Sequence, residues 1–172
     1  MVVGVAGALG DGLEERLAEL LGDVPAGEHG SPAPLNGAPG SRVKLFTKQS
    51  DQAHLCLGFR TREIDHPDRY AVDILRVVLG GGMSSRLFTE VRERRGLAYY
   101  VLAMIQGYRD TGSMFAQAGV DVKRVDEAVE TIVAELRKVG EERVPADELG
   151  KAKAYTKGRF VLSLESPQGM NM

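Results

Sequence analysis

Apolar residues recur along this chain with two periods, one near 3.6 and one of 2, and their alternation predicts a mixed architecture. Residues 2–6 predict a short buried strand, followed by a Gly-Asp turn and a helix whose face is Leu13, Leu17, Leu20 and Leu21. Further on, residues 43–47 and 54–60 predict two antiparallel strands, and residues 68–79 a helix with Tyr70, Ile74, Val77 and Val78 inward. Gly80, Gly81 and Gly82 interrupt that helix. Ser84 and Ser85 offer side-chain acceptors to the amides opening the next one, whose apolar stripe is Met83, Leu87, Phe88 and Val91. On its solvated side Arg86 with Glu90, and Glu90 with Arg94, are spaced as i,i+4 ion pairs. Gly96 stands where a left-handed cap is wanted. After it, residues 97–105 predict a strand with Tyr99 and Val101 on one face and Ala98, Tyr100 and Leu102 on the other. Residues 114–119 pair back through a turn at 109–112. Val125, Val129, Ile132, Val133 and Leu136 mark another amphipathic helix, and Pro145 opens a last one through Leu149, Ala152, Tyr155 and Phe160 towards Leu164. The fold class is α+β: a mostly antiparallel sheet with helices packed on one face.

Residues 22–40 interrupt this pattern. With Pro25, Pro32, Pro34 and Pro39 among glycines they show no apolar period and predict a linker. The expected division is therefore residues 1–24 as the closing strand and helix of a preceding unit, 25–41 as linker, and 42–172 as a second unit. The run Ser166-Pro167-Gln168-Gly169 near the end leads to no closing strand, so this unit is expected to be truncated. A faint internal echo aligns Gly7 with Gly119, Leu13 with Val125, Leu17 with Val129 and Leu20 with Ile132, although any two strand-turn-helix units share such a pattern.

Charge and composition narrow the function classes. A net charge of −2 argues against a nucleic-acid surface, since Arg92, Arg94 and Arg95 are offset by Glu90 and Glu93. The single cysteine, Cys56, rules out an internal disulfide framework and fits a reducing compartment. No apolar run approaches the roughly 20 residues that cross a bilayer. A cytoplasmic protein without membrane or nucleic-acid partners is expected.

The segment GGGMSSRLFTEVRERRGLAYYV, residues 80–101, resembles the zinc peptidases of the pitrilysin and insulinase family, which includes the mitochondrial processing peptidases. Gln52-Ala53-His54, Asp68-Arg69-Tyr70, Asp110-Thr111-Gly112 and Glu165-Ser166 extend the likeness over nearly the whole chain. The resemblance is to the family's second half, and it implies a half-unit of the processing-peptidase-like metallohydrolase fold. It also implies that Arg92 and Tyr99, seven positions further on, are catalytic and touch substrate, holding the scissile carbonyl, while zinc is bound in the other half. Fixed guanidinium and phenol donors suit the negative charge that grows on that oxygen. The family's inverted H-x-x-E-H motif is absent: His29, His54 and His66 are the only histidines, and none has the required spacing. Zinc is thus expected outside this chain, and the piece alone is expected to be inactive. Expected partners are a peptide or unfolded segment as substrate, the zinc-carrying half, and a second copy in a homo-oligomer. Other readings are a non-catalytic assembly subunit of the same fold and a standalone peptide-binding module.

Blander accounts compete at each position. By spacing alone, Arg92 reads as a surface arginine paired with a local carboxylate and Tyr99 as a half-buried strand residue. His54 and Cys56 alternate onto one strand face, but two ligands do not close a zinc site, and core packing is the better expectation. Glu63 and His66 have i,i+3 spacing, yet Pro67 follows and the segment reads as a loop. Gly80, Gly81 and Gly82 lack the lysine of a phosphate loop and are expected to be a hinge or a place of close backbone packing. The glycine turn near the start lacks the full dinucleotide fingerprint.

Overall fold

The computed structural model describes residues 3–25, 27, 30 and 50–170. The predicted strand at 43–47 and nearly all of the predicted linker lie outside these. The described residues form two compact units, one holding those up to Gly30 together with those from Tyr155 on, the other those from Ser50 to Ala154.

In the first unit, helix α1 spans Leu13–Leu21. Gly12 precedes it with φ 79°, so the predicted turn and helix are both present. The predicted strand before it is not. Val3 and Val5 are exposed and belong to no strand among the described residues, and a strand exists only through the ladder it shares.

The larger unit contains the sheet. Strand β1 (Gln52–Thr61) is followed by helix α2 (Arg69–Gly80), then a helical segment whose Phe88–Arg94 portion is π-helical, then strands β2 (Ala98–Gly107) and β3 (Gly112–Asp121). The sheet order is β1-β3-β2, all antiparallel neighbours, with β3 in the middle. After a 3₁₀ turn come helices α3 (Val125–Glu141) and α4 (Ala146–Ser163), the latter running on into the first unit, where α5 (Pro167–Met170) follows.

One alternate set of strand residues forms the core with the helices. Met114, Ala116, Ala118 and Val120 of β3 are at most 2% exposed and pack in one cluster with Leu79 of α2, Leu87 and Val91 of the π segment, and Ala128 and Ile132 of α3. Ala53, Leu55 and Leu57 of β1, and Val101 and Ala103 of β2, join the same face. Each fully buried Leu or Ile contributes roughly 1.5–3 kcal/mol. A smaller cluster joins Val77 and Val78 of α2 to Ala152 of α4. The α+β architecture and its helix-covered sheet face match the expectation.

Helix faces depart from prediction in detail. Tyr70 is 66% exposed, because the buried part of α2 is its last turn, Val77 to Gly80. In α3 the buried residues are Ala128, Thr131, Ile132 and Glu135; of the predicted stripe Val125, Ile132 and Leu136 pack in or on the core, while Val129 and Val133 are only partly buried, so the face is turned slightly from the predicted one. The small Ala128 lets the helix approach β3, and the Thr131 hydroxyl donates to the Glu127 carbonyl at 2.7 Å, so its burial leaves no polar atom unpaired. Phe160, one of the apolar positions through which the last helix was predicted to run, is 64% exposed. The internal echo survives only in the helices, since Gly119 lies inside β3 whereas Gly7 lies in a bend.

Candidate functional site

Gly80 places the site segment. A Cβ at this position would lie 2.2 Å from Ala103 N and 2.8 Å from Ala103 Cβ, so only a glycine lets the end of α2 press against β2. The chain then turns through Gly82, where the nearly buried Ser85 hydroxyl donates to the Gly82 carbonyl at 2.6 Å. That hydroxyl closes the turn and does not cap the following amides, which corrects the predicted role of Ser84 and Ser85. The Ser85 carbonyl accepts from Thr89 N at 3.0 Å. Close packing is thus the observed role of Gly80, where the sequence left hinge and packing open.

The following helix is predicted as α and is π-helical over Phe88–Arg94. Its stripe is Leu87 and Val91, both 0% exposed, with Phe88 half-buried against the core, while Met83 is 77% exposed, lying in the turn before the helix begins. Gly96 ends it at φ 57°, the left-handed cap that was predicted. Leu97 N donates back to Val91 O at 2.8 Å, a bond spanning six residues that suits the wider π turn. With Leu97 only 2% exposed, the path from the helix into β2 is held at a buried point.

The arginines of this segment have separate fates. Arg94 pairs with Glu90 as predicted. Arg86 does not pair with Glu90: it reaches α4 and donates twice to Glu148, Nε to Oε1 at 2.8 Å and Nη2 to Oε2 at 2.7 Å. The two-pronged, largely buried geometry outweighs a single-pronged surface pair, and it raises the Arg86 guanidinium above its ordinary pKa. Arg92 has no carboxylate partner among the described residues. Its Cζ lies 4.9 Å from the centre of the Phe88 ring, so the plane is supported from below and the N–H donors stay available. The surface-ion-pair account of Arg92 is therefore not what the structure shows.

Tyr99 enters β2 through an irregularity. Ala98 stands opposite Val120 and Tyr100 opposite Gly119, which leaves Tyr99 as an extra residue in a β-bulge. The bulge resets the alternation, so Ala98 packs on the core with Val101 and is not on the Tyr100 side, contrary to the predicted faces. Tyr99 is 61% exposed, and Arg92 is exposed as well. Both predicted site residues present their polar groups to solvent, at the two ends of one helix-cap-strand connection.

The other sheet face carries exposed side chains among the described residues. His54 and Cys56 of β1 lie on it, exposed, so the expected core packing is corrected. His54 Nδ1 is 3.1 Å from the Tyr100 hydroxyl, and the rings stack with centroids 6.1 Å apart. No local signal in the sequence marks this pair, whose members are 46 residues apart. Phe88 beneath Arg92 did carry one, the i,i+4 spacing of aromatic and cation.

Metal chemistry finds no ligand set here. No group of three or more His, Cys, Asp or Glu side chains that could hold a metal ion occurs among the described residues. His54 is engaged by Tyr100, and His66 Nδ1 accepts from the Asp68 amide at 3.0 Å, capping a loop instead of joining Glu63. These residues do not fit zinc. A polar groove of about 370 Å³ is lined by residues of the site helix, α3 and the start of α4; of its charges Arg86 is paired with Glu148, Lys138 with Glu135, and Glu90 with Arg94 outside it. No helix of the described residues is long and apolar enough to cross a membrane.

Comparison with known proteins agrees with this anatomy. The uncharacterized zinc protease YmxG of Bacillus subtilis is 36% identical over 167 residues, covering 96% of this chain and 40% of that protein. A protease from Helicobacter pylori superposes with a TM-score of 0.65 at 29% identity, over 70% of this chain and 30% of that one. The peptidase M16 inactive domain from Pseudomonas fluorescens gives a TM-score of 0.61 at 27% identity, over 64% of this chain and 27% of that one. The chain thus spans about two fifths of the length of the Bacillus relative. A family model described as the peptidase M16 inactive domain matches residues 1–155, and this chain therefore belongs to the peptidase M16 family as its inactive domain.

Proposed function

We propose that this chain is the substrate-contacting half of a zinc endopeptidase acting on peptides or unfolded segments, and that Arg92 and Tyr99 hold the scissile carbonyl. The observation that carries the reading is the state of Arg92: among the basic side chains of its helix it alone is seated on an aromatic ring with its donors unspent. Tyr99, lifted out of the strand ladder by the bulge, offers a phenol in the same exposed setting. As the carbonyl carbon becomes tetrahedral, charge moves onto oxygen, and donors fixed in advance lower that barrier. Zinc in the other part of the complete protein would supply the Lewis acid. The residues of this chain bind and orient.

The test uses full-length protein. Arg92→Ala and Tyr99→Phe are expected each to lower kcat by about 100-fold without changing zinc content or thermal stability, since both side chains are exposed. Unaltered hydrolysis by both variants would overturn the reading. Retained peptide affinity in a naturally inactive protein, indifferent to Arg92→Ala, would favour a standalone binding module.

A further inference from the structure

We propose that His54 is a positioning residue for Tyr99, acting through Tyr100; the proposal rests on the reading that Tyr99 contacts the scissile carbonyl. His54 and Tyr100 both stand opposite Gly119, one on each side of the central strand. Any side chain at that position would keep them apart: a Cβ on Gly119 would lie 2.5 Å from Tyr100 Cε1 and 2.9 Å from Cδ1. Glycine weakens a strand interior, and here it opens a lane along which the Tyr100 ring crosses β3 to reach His54 Nδ1 at 3.1 Å. The imidazole and phenol stack at 29° between planes, which restricts the ring as well as the hydroxyl.

Tyr99 lies immediately before this anchor, in a bulge that has no counterpart on β3. A bulge aims its extra side chain only as well as its two flanks are held. Ala98 is the upstream flank and packs on the core opposite Val120. Tyr100 is the downstream flank; it lies on the face opposite the core and is itself exposed, and its ring and hydroxyl are held by His54. Exposed on that face, the pair adds little to overall stability, so its effect is concentrated on the geometry of the residue next door.

Full-length, zinc-loaded protein is assayed with an unfolded peptide substrate, measuring kcat and KM for His54→Ala, His54→Gln, Tyr100→Phe and Tyr99→Phe, alone and combined. His54→Ala and Tyr100→Phe are each expected to lower kcat about tenfold with KM and thermal stability unchanged. Their effects should not add to each other and should vanish in the Tyr99→Phe background, and His54→Gln should restore much of the rate. Fluorotyrosine spectra of the same protein should show the Tyr99 resonance sharp in the parent and broadened in His54→Ala. An undiminished rate in His54→Ala and Tyr100→Phe overturns the proposal, as does an equal loss in the Tyr99→Phe background. A tenfold loss on His54→Ala that vanishes in Tyr99→Phe supports it. Where Tyr99→Phe slows the enzyme and His54→Ala does not, the positioning role alone fails; where Tyr99→Phe is itself harmless, the reading beneath it fails too.

Discussion

Arg92 differs from its neighbours in having no carboxylate partner among the described residues. Its neighbours Arg86 and Arg94 spend their donors on Glu148 and Glu90, while Arg92 rests on Phe88. A cation–ring contact at an exposed site is worth about 0.5–1 kcal/mol, so Phe88→Leu in the full-length protein should lower kcat/KM about two- to fivefold. Phe88→Tyr should retain the rate, and Phe88→Leu should cost nothing further once Arg92 is alanine. A loss of equal size in that background would assign Phe88 to packing alone. Arg92 and Tyr99 were singled out in the sequence through the segment that contains them. The ring beneath Arg92 left a local trace in its i,i+4 spacing, whereas the bulge at Tyr99 left none, because a bulge depends on the register chosen by the opposite strand.

At the scale of elements, two joints hold the site segment in place. The first is Gly80 against Ala103, with no space for a methyl group. Gly80→Ala should destabilise the protein by about 2–3 kcal/mol in chemical denaturation, because either the helix or β2 has to move. An unchanged midpoint would contradict the packing described. The second joint is Arg86 with Glu148, which ties the start of the π segment to α4 across 62 positions of sequence. Arg86→Ala should cost about 1.5–3 kcal/mol by the same measurement, the range for hydrogen bonds to charged groups. Pairing with Glu148 raises the Arg86 pKa, so the guanidinium's contribution is fully present at neutral pH and is lost as pH climbs through the strongly alkaline range where guanidinium deprotonates. Sequence spacing offered Glu90 as the partner. Local spacing identifies which charges can meet within a helix, whereas a bidentate partner from another helix wins on geometry that spacing does not contain.

For the molecule as a whole, length sets the terms. A chain spanning about two fifths of the Bacillus relative, with no zinc ligand group among its described residues, is expected to be one side of a site. The purified 172-residue chain should hydrolyse no peptide with or without added zinc. Turnover by that chain, abolished by a chelator, would refute the division of labour. Alternating apolar periods, the helix-stopping glycines, the left-handed cap at Gly96 and the missing zinc motif are all local features, and each could be read from adjacent residues because periodicity and φ preference act over one or two turns. The rotated face of α3, the exposure of His54 and Cys56, the exchange of Glu90 for Glu148 and the unpaired position of Tyr99 required the folded chain. They depend on contacts between segments far apart in sequence, and the energy of such a contact belongs to the packed arrangement and to neither segment alone.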